Sequence, residues 1–477
     1  MLSRNDRLNK RNILSSSIQI WILVVFLFGL ELVRTEAYEY AAGKALGGAD
    51  ATRTRGIFCV GINPANLGLP TPYRYSFLIG GINYQLTNNF FNLATGQVYS
   101  GQDLTVADGR LQQRFLGDLP EEGWRLTWVG DIGLPLLNLS IGNQAFTTRV
   151  ISSADFYVSR PVLDVIFGGL QKGQRYELDL RCDAFTAVEY GFTMAIPYDR
   201  MAVGITLKYL HGLGYYGLDP QQTQGYLLVD TANFLVHGGG DFYFRESYAG
   251  RGFGIDVGLA FTDLDGWDLG LSLLNLGELI QWNAETVLSK VFQDFWLVGM
   301  GKQIKTWPFR NSDLKLDFKG KSFRYTFQID SLNGHQLFRS DSAYGDYFHS
   351  RRTTLNDTNR FSVRVPAVLR ISAARDFGKK ISTGIDLTAS FDDRFYFHKG
   401  WRVGLGCEYR YFPKLPLRVG LVLGGLAGWE FNIGSGYRIG PVVLDYAIGF
   451  NRGFWLHTLK GINFALGAYF TAKGSSK

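Results

Sequence analysis

Gly252-Phe253-Gly254-Ile255-Asp256-Val257-Gly258-Leu259-Ala260-Phe261-Thr262 changes character at every step. Phe253, Ile255, Val257, Leu259 and Phe261 fall on one face, and Gly252, Gly254, Asp256, Gly258, Ala260 and Thr262 on the other. A period of two is that of a β-strand, whose successive side chains point to opposite sides. The split recurs downstream. Trp401, Val403, Leu405, Cys407, Tyr409 and Tyr411 oppose Gly400, Arg402, Gly404, Gly406, Glu408 and Arg410. Val442, Leu444, Tyr446, Ile448 and Phe450 oppose Asp445 and small residues, and Ile462, Phe464, Leu466, Ala468 and Phe470 share the face of a last strand.

Such strands suit a soluble sandwich or a membrane barrel, and three features favour the barrel. The runs reach about 10–12 residues, near the ~9–11 that a tilted membrane strand needs and above the ~5–6 of soluble strands. The apolar face often ends in Tyr, Trp or Phe, as an interfacial girdle requires. The other face is rich in glycine and carries charges of both signs, as a crowded lumen would. In lipid every backbone N–H and C=O must be paired internally, so strands span only as a closed barrel. The expected fold is all-β: a transmembrane antiparallel β-barrel of about 14–16 strands.

Strands are expected near 73–83, 124–134, 136–149, 185–196, 201–213, 225–236, 252–263, 267–276 and 290–301. Others are expected near 364–376, 381–391, 400–412, 416–426, 429–438, 441–451 and 462–470. The barrel would occupy 73–470, with 302–363 as a large extracellular loop bearing a hairpin around Phe323–Ile329, and 471–477 as a C-terminal tail.

Composition agrees with export. Arg4, Arg7, Lys10 and Arg11 precede an apolar run from Ile18 to Leu30, and Thr35-Glu36-Ala37 offers a cleavage site, so 1–37 reads as a Sec signal peptide. The expected location is the outer membrane of a Gram-negative bacterium. Of 477 residues 58 are glycine and only 13 proline, which suits neither disorder nor collagen. The net charge of +7 is spread out, with no dense basic run, so no nucleic-acid partner is expected.

Residues 38–72 are small, polar and glycine-rich. Pro64 disfavours helical geometry at Asn63, and Asn63 and Asn66 can hydrogen-bond the backbone of a rigid turn. Ala45-Leu46-Gly47-Gly48-Ala49, then Arg55-Gly56, then Asn63-Pro64-Ala65-Asn66-Leu67-Gly68 resembles the N-terminal region of the long-chain fatty-acid transporter superfamily of outer-membrane barrels. That superfamily includes aromatic-hydrocarbon channels and the outer-membrane shuttle proteins of type IX secretion. Leu274-Asn275-Leu276-Gly277 with Ile280 and Trp282 resembles a family strand end. Val365-Pro366-Ala367-Val368-Leu369-Arg370 resembles a family strand start, and Gly404–Tyr409 with Leu415–Gly420 resembles its "G-x-E-Y … L-R-x-G" hairpin. The resemblance implies that 38–72, with Asn63, Pro64, Ala65 and Asn66, forms a hatch inside the barrel.

It further implies capture of an apolar molecule, then a hatch shift and a kinked strand that open a path onward or sideways. Tyr215, Tyr216, Phe242, Tyr243 and Phe244, bordering glycine-rich turns, are the candidate capture aromatics, or else part of the girdle. Asp256, Asp268, Arg370, Asp386, Arg402, Glu408, Arg410, Arg418 and Asp445 share the inward face as lumen charges. Paired, they would hold the interior together; unpaired, they would mark an ion path.

The six histidines show no ligand spacing and no Gly-x-Ser-x-Gly elbow occurs, so neither catalytic residues, a metal nor a cofactor is expected. Cys59, Cys182 and Cys407 are too few and too scattered for a disulfide framework. The expected function is hatch-gated passage of small hydrophobic compounds, fatty-acid-like or hydrocarbon, with outer-membrane lipid around it. The alternative is a barrel that transports nothing and docks envelope or secreted proteins.

Overall fold

In a computed structural model, the described residues are 40–473, except 103, 105–108, 136, 285–321, 335–347, 356–358, 396, 398 and 413. The signal-peptide reading, the strand expected near 290–301, much of 302–363 and the end of the tail lie outside them.

Fourteen strands close on themselves. They are β1 (Tyr73–Asn88), β2 (Gly123–Gly133, continued by Leu139–Ile141), β3 (Gln144–Ser159), β4 (Leu180–Tyr198) and β5 (Met201–Leu218). Next come β6 (Gly250–Leu264), β7 (Trp267–Trp282), β8 (Phe361–Arg364 with Val368–Phe377), β9 (Ile381–Ser390) and β10 (Gly400–Tyr409). The last are β11 (Leu417–Gly424), β12 (Gly428–Ile439), β13 (Val442–Asn451) and β14 (Gly461–Lys473). Each pairs antiparallel with the next, and β14 returns to β1 with Phe470 opposite Phe77 and Phe464 opposite Tyr84. Closure leaves the wall no open edge, which is what lets strands lie in lipid.

The alternation decides the orientation of side chains. Phe253, Ile255, Leu207, Ile196, Trp401 and Leu466 are all exposed on the outer surface, while Asp256, Asn463 and Asp445 on the alternate positions are buried. An apolar band of this extent belongs against hydrocarbon. Tyr75, Tyr198, Tyr409 and Tyr437 rim one end of it, and Trp401, Phe391 and Trp455 the other. The first end carries the short connections Asp199-Arg200, Asp265-Gly266, Gly378–Lys380 and Gly440-Pro441. In barrels of this class short turns face the periplasm and long loops the exterior.

Several strand expectations need correction. The stretch near 225–236 is two strands, Gln224–Val229 and Leu235–Ser247. The Asp230 carboxylate accepts the N–H groups of Ala232 and Asn233, and Phe234 takes φ 55°, which turns the chain back. That near 136–149 divides at Gly142, and that near 364–376 is interrupted at Val365–Ala367. Where a hairpin was expected around Phe323–Ile329, Ser322–Asn333 pairs with Phe348–Leu355, but Phe361–Arg364, assigned to the same loop, belongs to the wall. The final strand continues to Lys473, so the tail expected from Thr471 begins inside β14.

Beyond the outer rim, Arg175–Glu177, Gln224–Val229, Leu235–Ser247, Ser322–Asn333 and Phe348–Leu355 form a second, extramembrane sheet joined to the barrel through the end of β5. Two helices, α1 (Leu93–Tyr99) and α2 (Arg110–Asp118), fold over the rim between β1 and β2. Asn92 and Thr95 form a reciprocal capping box at the start of α1.

Candidate functional site

Residues 40–70 lie inside the barrel, almost wholly buried. A short helix spans Ala41–Ala45, and 3₁₀ turns span Gly56–Cys59 and Pro64–Gly68. Asn63 caps the last turn, its Oδ1 accepting the Ala65 N–H at 3.1 Å, with Pro64 in the first turn where its missing N–H costs nothing. Asn66 Nδ2 donates to Ala51 O at 2.6 Å and ties the plug to itself.

The wall supplies a glycine bed for this plug. A Cβ on Gly204 would fall 2.3 Å from the Pro64 carbonyl carbon, and one on Gly384 1.8 Å from Ala49 O. One on Gly404 would fall 2.2 Å from Gly47 O, and one on Gly420 2.4 Å from Gly47 N. The inward glycines are therefore the places where two backbones touch. Polar bonds lock the contact. Lys44 Nζ donates to Gln85 Oε1 at 2.6 Å, Ser76 Oγ accepts Ile57 N–H at 2.9 Å, and Asn63 Nδ2 donates to Leu259 O at 3.1 Å. Ser272 Oγ donates to Ile62 O at 2.8 Å and Arg370 Nη2 to Gly48 O at 3.1 Å.

The lumen charges pair. Arg370 meets Asp386 at 2.8 Å, and Arg418 meets Glu408 and Asp445 at 2.6 Å each. Arg410 also bonds Glu408, and Arg402 lies 3.8 Å from Glu430. Asp268 reaches Arg53 of the plug at 3.5 Å. Asp256 meets none of the other charges singled out in sequence. It binds Lys208 at 2.8 Å, and Lys208 also reaches Asn275 Oδ1 at 2.7 Å, Glu278 at 3.3 Å and Glu189 at 3.9 Å. Arg149 closes this cluster with two bonds to Glu189, at 2.9 and 3.0 Å. Sequence reasoning passed over Arg149, Glu189, Lys208 and Glu278, although each sits at an inward parity of an alternating strand, which is the signal that finds them.

The five capture aromatics do not form one surface. Tyr215 points inward and donates to Asp183 at 2.7 Å, while Tyr216 points outward against Phe244 and Phe323. Phe242 and Tyr243 are buried, and Phe242 stacks with Phe327. All of 242–244 lies within a strand, not beside a turn, so alternation alone divides the set.

Above the plug one side of the lumen is apolar. Phe395 and Phe397 descend from the loop between β9 and β10 and pack with Phe185, Leu210, Leu274, Trp282 and Val368. Arg394 anchors that loop on Asp183 at 2.9 Å. Burial pulls the Arg394 guanidinium down, but the Asp183 carboxylate outweighs it and holds it above its ordinary range. Below this lid is a cavity of about 110 Å³, with Val129, Leu274, Val368, Phe397 and Leu426 on its apolar side, Thr127, Thr388, Ser390, Arg402 and Glu430 on its polar side, and Arg370 and Gln85 against the plug. A second cavity of about 470 Å³ lies on the periplasmic side of the plug and is lined by arginines and carboxylates together with Leu46, Phe58 and Val443.

The wall beside the upper cavity is interrupted. β7 pairs with β8 as far as Leu274 opposite Val368 and again from Leu279 opposite Arg364. Between them Asn275 and Gly277 take φ 58° and 62°, the register with β6 shifts twice, and Pro366 has no N–H to give. Asn275 Nδ2 to Pro366 O at 3.2 Å and Val365 N–H to Glu278 O at 3.0 Å bridge the gap. Two of the four motif stretches quoted from the sequence thus meet here.

The family described as one of unknown function, DUF5723, matches residues 64–446. Among curated proteins none matches. The chain is similar to the solved toluene transporter TbuX of Ralstonia pickettii at 12% identity, covering 91% of this chain and 98% of that one, with a TM-score of 0.46. It is similar to the toluene transporter TodX of P. putida at 10%, covering 92% and 99%, with a TM-score of 0.45. A Pseudomonas aeruginosa FadL homologue is similar at 12%, covering 92% and 99%, with a TM-score of 0.44.

Proposed function

The chain belongs to this family of unknown function, and from its geometry we propose that it passes small apolar compounds from the exterior into the outer membrane, with 38–72 as a gating hatch. The observation that carries the reading is the meeting of the cavity's apolar side with an interrupted wall: Leu274 and Val368 line the cavity and are also the last paired residues before the gap. A cavity of about 110 Å³ suits a ligand near the size of a single aromatic ring, since a cavity of roughly 150 Å³ holds benzene. Burial of apolar surface, at about 25 cal/mol per Å², supplies the attraction. Straight passage would take the compound past the five arginines and the carboxylates Asp50, Glu408 and Asp445 that line the lower cavity, which offsets part of that gain. The gap between β7 and β8 leads instead towards hydrocarbon, where the gain is kept. Residues 1–37 as an export signal belong to the same reading.

Substituting Leu274→Trp fills the cavity. Entry of a small alkylbenzene into cells carrying the variant is expected to fall at least about tenfold relative to wild type, a bulky residue in a packed site excluding the ligand. The variant barrel should still show the heat-dependent electrophoretic shift of a folded barrel. Unchanged entry through a folded variant would refute the reading.

The extramembrane sheet favours a second reading, protein docking. Its strand Phe348–Leu355 pairs on one side with Ser322–Asn333, and His349, Arg351 and Arg352 are exposed on it. Removing 322–355 should leave the barrel intact and abolish any co-purifying partner. A partner retained after the deletion would exclude this surface.

A further inference from the structure

The lower cavity has a composition that the passage of apolar compounds does not use. Arg53, Arg55, Arg410, Arg418 and Arg438 line it. Three of these are paired: Arg53 with Asp376 at 2.7 Å, and Arg410 and Arg418 with Glu408. Asp50, also in the lining, accepts the Tyr40 hydroxyl.

Arg55 and Arg438 have no carboxylate at ion-pair distance among the described residues. Arg55 is held by carbonyl oxygens alone, Nε donating to Pro70 O at 3.1 Å and Nη1 to Thr52 O at 2.9 Å and Thr54 O at 2.8 Å. Arg438 Nη2 donates to the Tyr73 hydroxyl at 2.9 Å. Both guanidiniums keep further N–H donors, since each carries five in a fixed fork and neither can shed its charge. The cavity volume of about 470 Å³ falls in the range of small-molecule sites, roughly 300–1,000 Å³. It lies towards the short-turn end, between the plug and the connections at 378–380 and 440–441.

We propose that this vestibule is a binding site for the phosphate group of a small phosphomonoester, held by Arg55 and Arg438. A phosphomonoester carries about −1.5 to −2 charge near neutral pH, which matches two guanidiniums that have no carboxylate at ion-pair distance among the described residues. Paired donors on planar guanidiniums recognise its oxygens bidentately. Phe58, Leu46 and Val443 in the same cavity offer an apolar wall for the remainder of the ligand. The phosphate can come from a free solute of the periplasm or from a lipid of the inner leaflet. The inference goes beyond the passage reading and does not rest on it, because neither arginine lines the upper cavity.

The test is calorimetric titration of the full chain in uncharged detergent, with glycerol 3-phosphate and with dihexanoyl phosphatidic acid as probes. Saturable binding is expected, weakened at least about tenfold by Arg438→Gln and less by Arg438→Lys, which keeps the charge and loses the fork. Arg55→Gln should weaken it too, but Arg438 is the cleaner position because it lies on the wall and does not shape the plug. Tighter binding of the lipid probe assigns the lipid source, and equal binding assigns the free solute. Binding of neither probe, or binding by Arg438→Gln equal to wild type, overturns the proposal whether or not apolar compounds pass.

Discussion

Replacing Gly404 and Gly420 together by leucine is expected to convert a closed barrel into a conducting one. Each added side chain would start about 2.2–2.4 Å from the backbone of Gly47, where no rotamer relieves the overlap. Gly384 and Gly204 seat the plug at Ala49 and Pro64 by the same close approach. Without it, a 14-stranded wall encloses a lumen wider than eight-stranded barrels that side chains fill, so single-channel conductance should rise at least about tenfold. Replacing Asn63-Pro64-Ala65 by three glycines attacks the same contact from the plug's side. It removes the cap and the fixed turn and should give a smaller, flickering leak. Conductance equal to wild type in both variants would show that the plug does not seal the lumen.

The second large effect is expected at Lys208. Arg149 holds Glu189, so Lys208 is the cation of Asp256 and Glu278, and Lys208 and the three carboxylates are all at most 4% exposed. Such a cluster contributes little net stability when complete, yet removal of one partner strands the others in a medium that cannot solvate them. Lys208→Met should therefore lower stability by roughly 3–5 kcal/mol, read as a shift in the urea unfolding midpoint in lipid. Adding Asp256→Asn and Glu278→Gln neutralises the stranded charges and should recover much of the loss. A variant Lys208→Met as stable as wild type would contradict the pairing. The effect bears on function too, since Lys208 holds Asn275 and Glu278, the residues that border the gap in the wall.

How far the sequence showed this arrangement depends on the range of the interaction concerned. Alternation is local, so the outward Phe253 and Ile255, the inward Asp256 and the closed all-β class were legible residue by residue. The inward glycines were visible as a bias, but their purpose was not. That Gly404 meets Gly47 is a contact between segments more than 350 positions apart in sequence. The gap between β7 and β8 depends on register, and bulges at Asn275 and Gly277 leave the apolar pattern on both sides intact, so periodicity reads straight through them. Only Pro366 hinted at an interruption, and a proline at a strand start is ordinary. Lys208 stands at an inward parity of β5, but its partner Glu278 lies 70 positions away, so alternation shows which way it faces and not what it pairs with. The candidate capture aromatics are divided for a plainer reason: adjacent residues in a strand face opposite ways, so Tyr215 with Tyr216, and Phe242 through Phe244, cannot all share one surface.

The cavity between lid and plug is expected to hold small apolar molecules. Native mass spectrometry of the protein, gently extracted from its own outer membrane, tests this most directly. The expected result is a retained apolar ligand near the size of a single aromatic ring, present in wild type and absent from Leu274→Trp. An empty barrel carrying a tightly bound protein would contradict it and place the function in the extramembrane sheet.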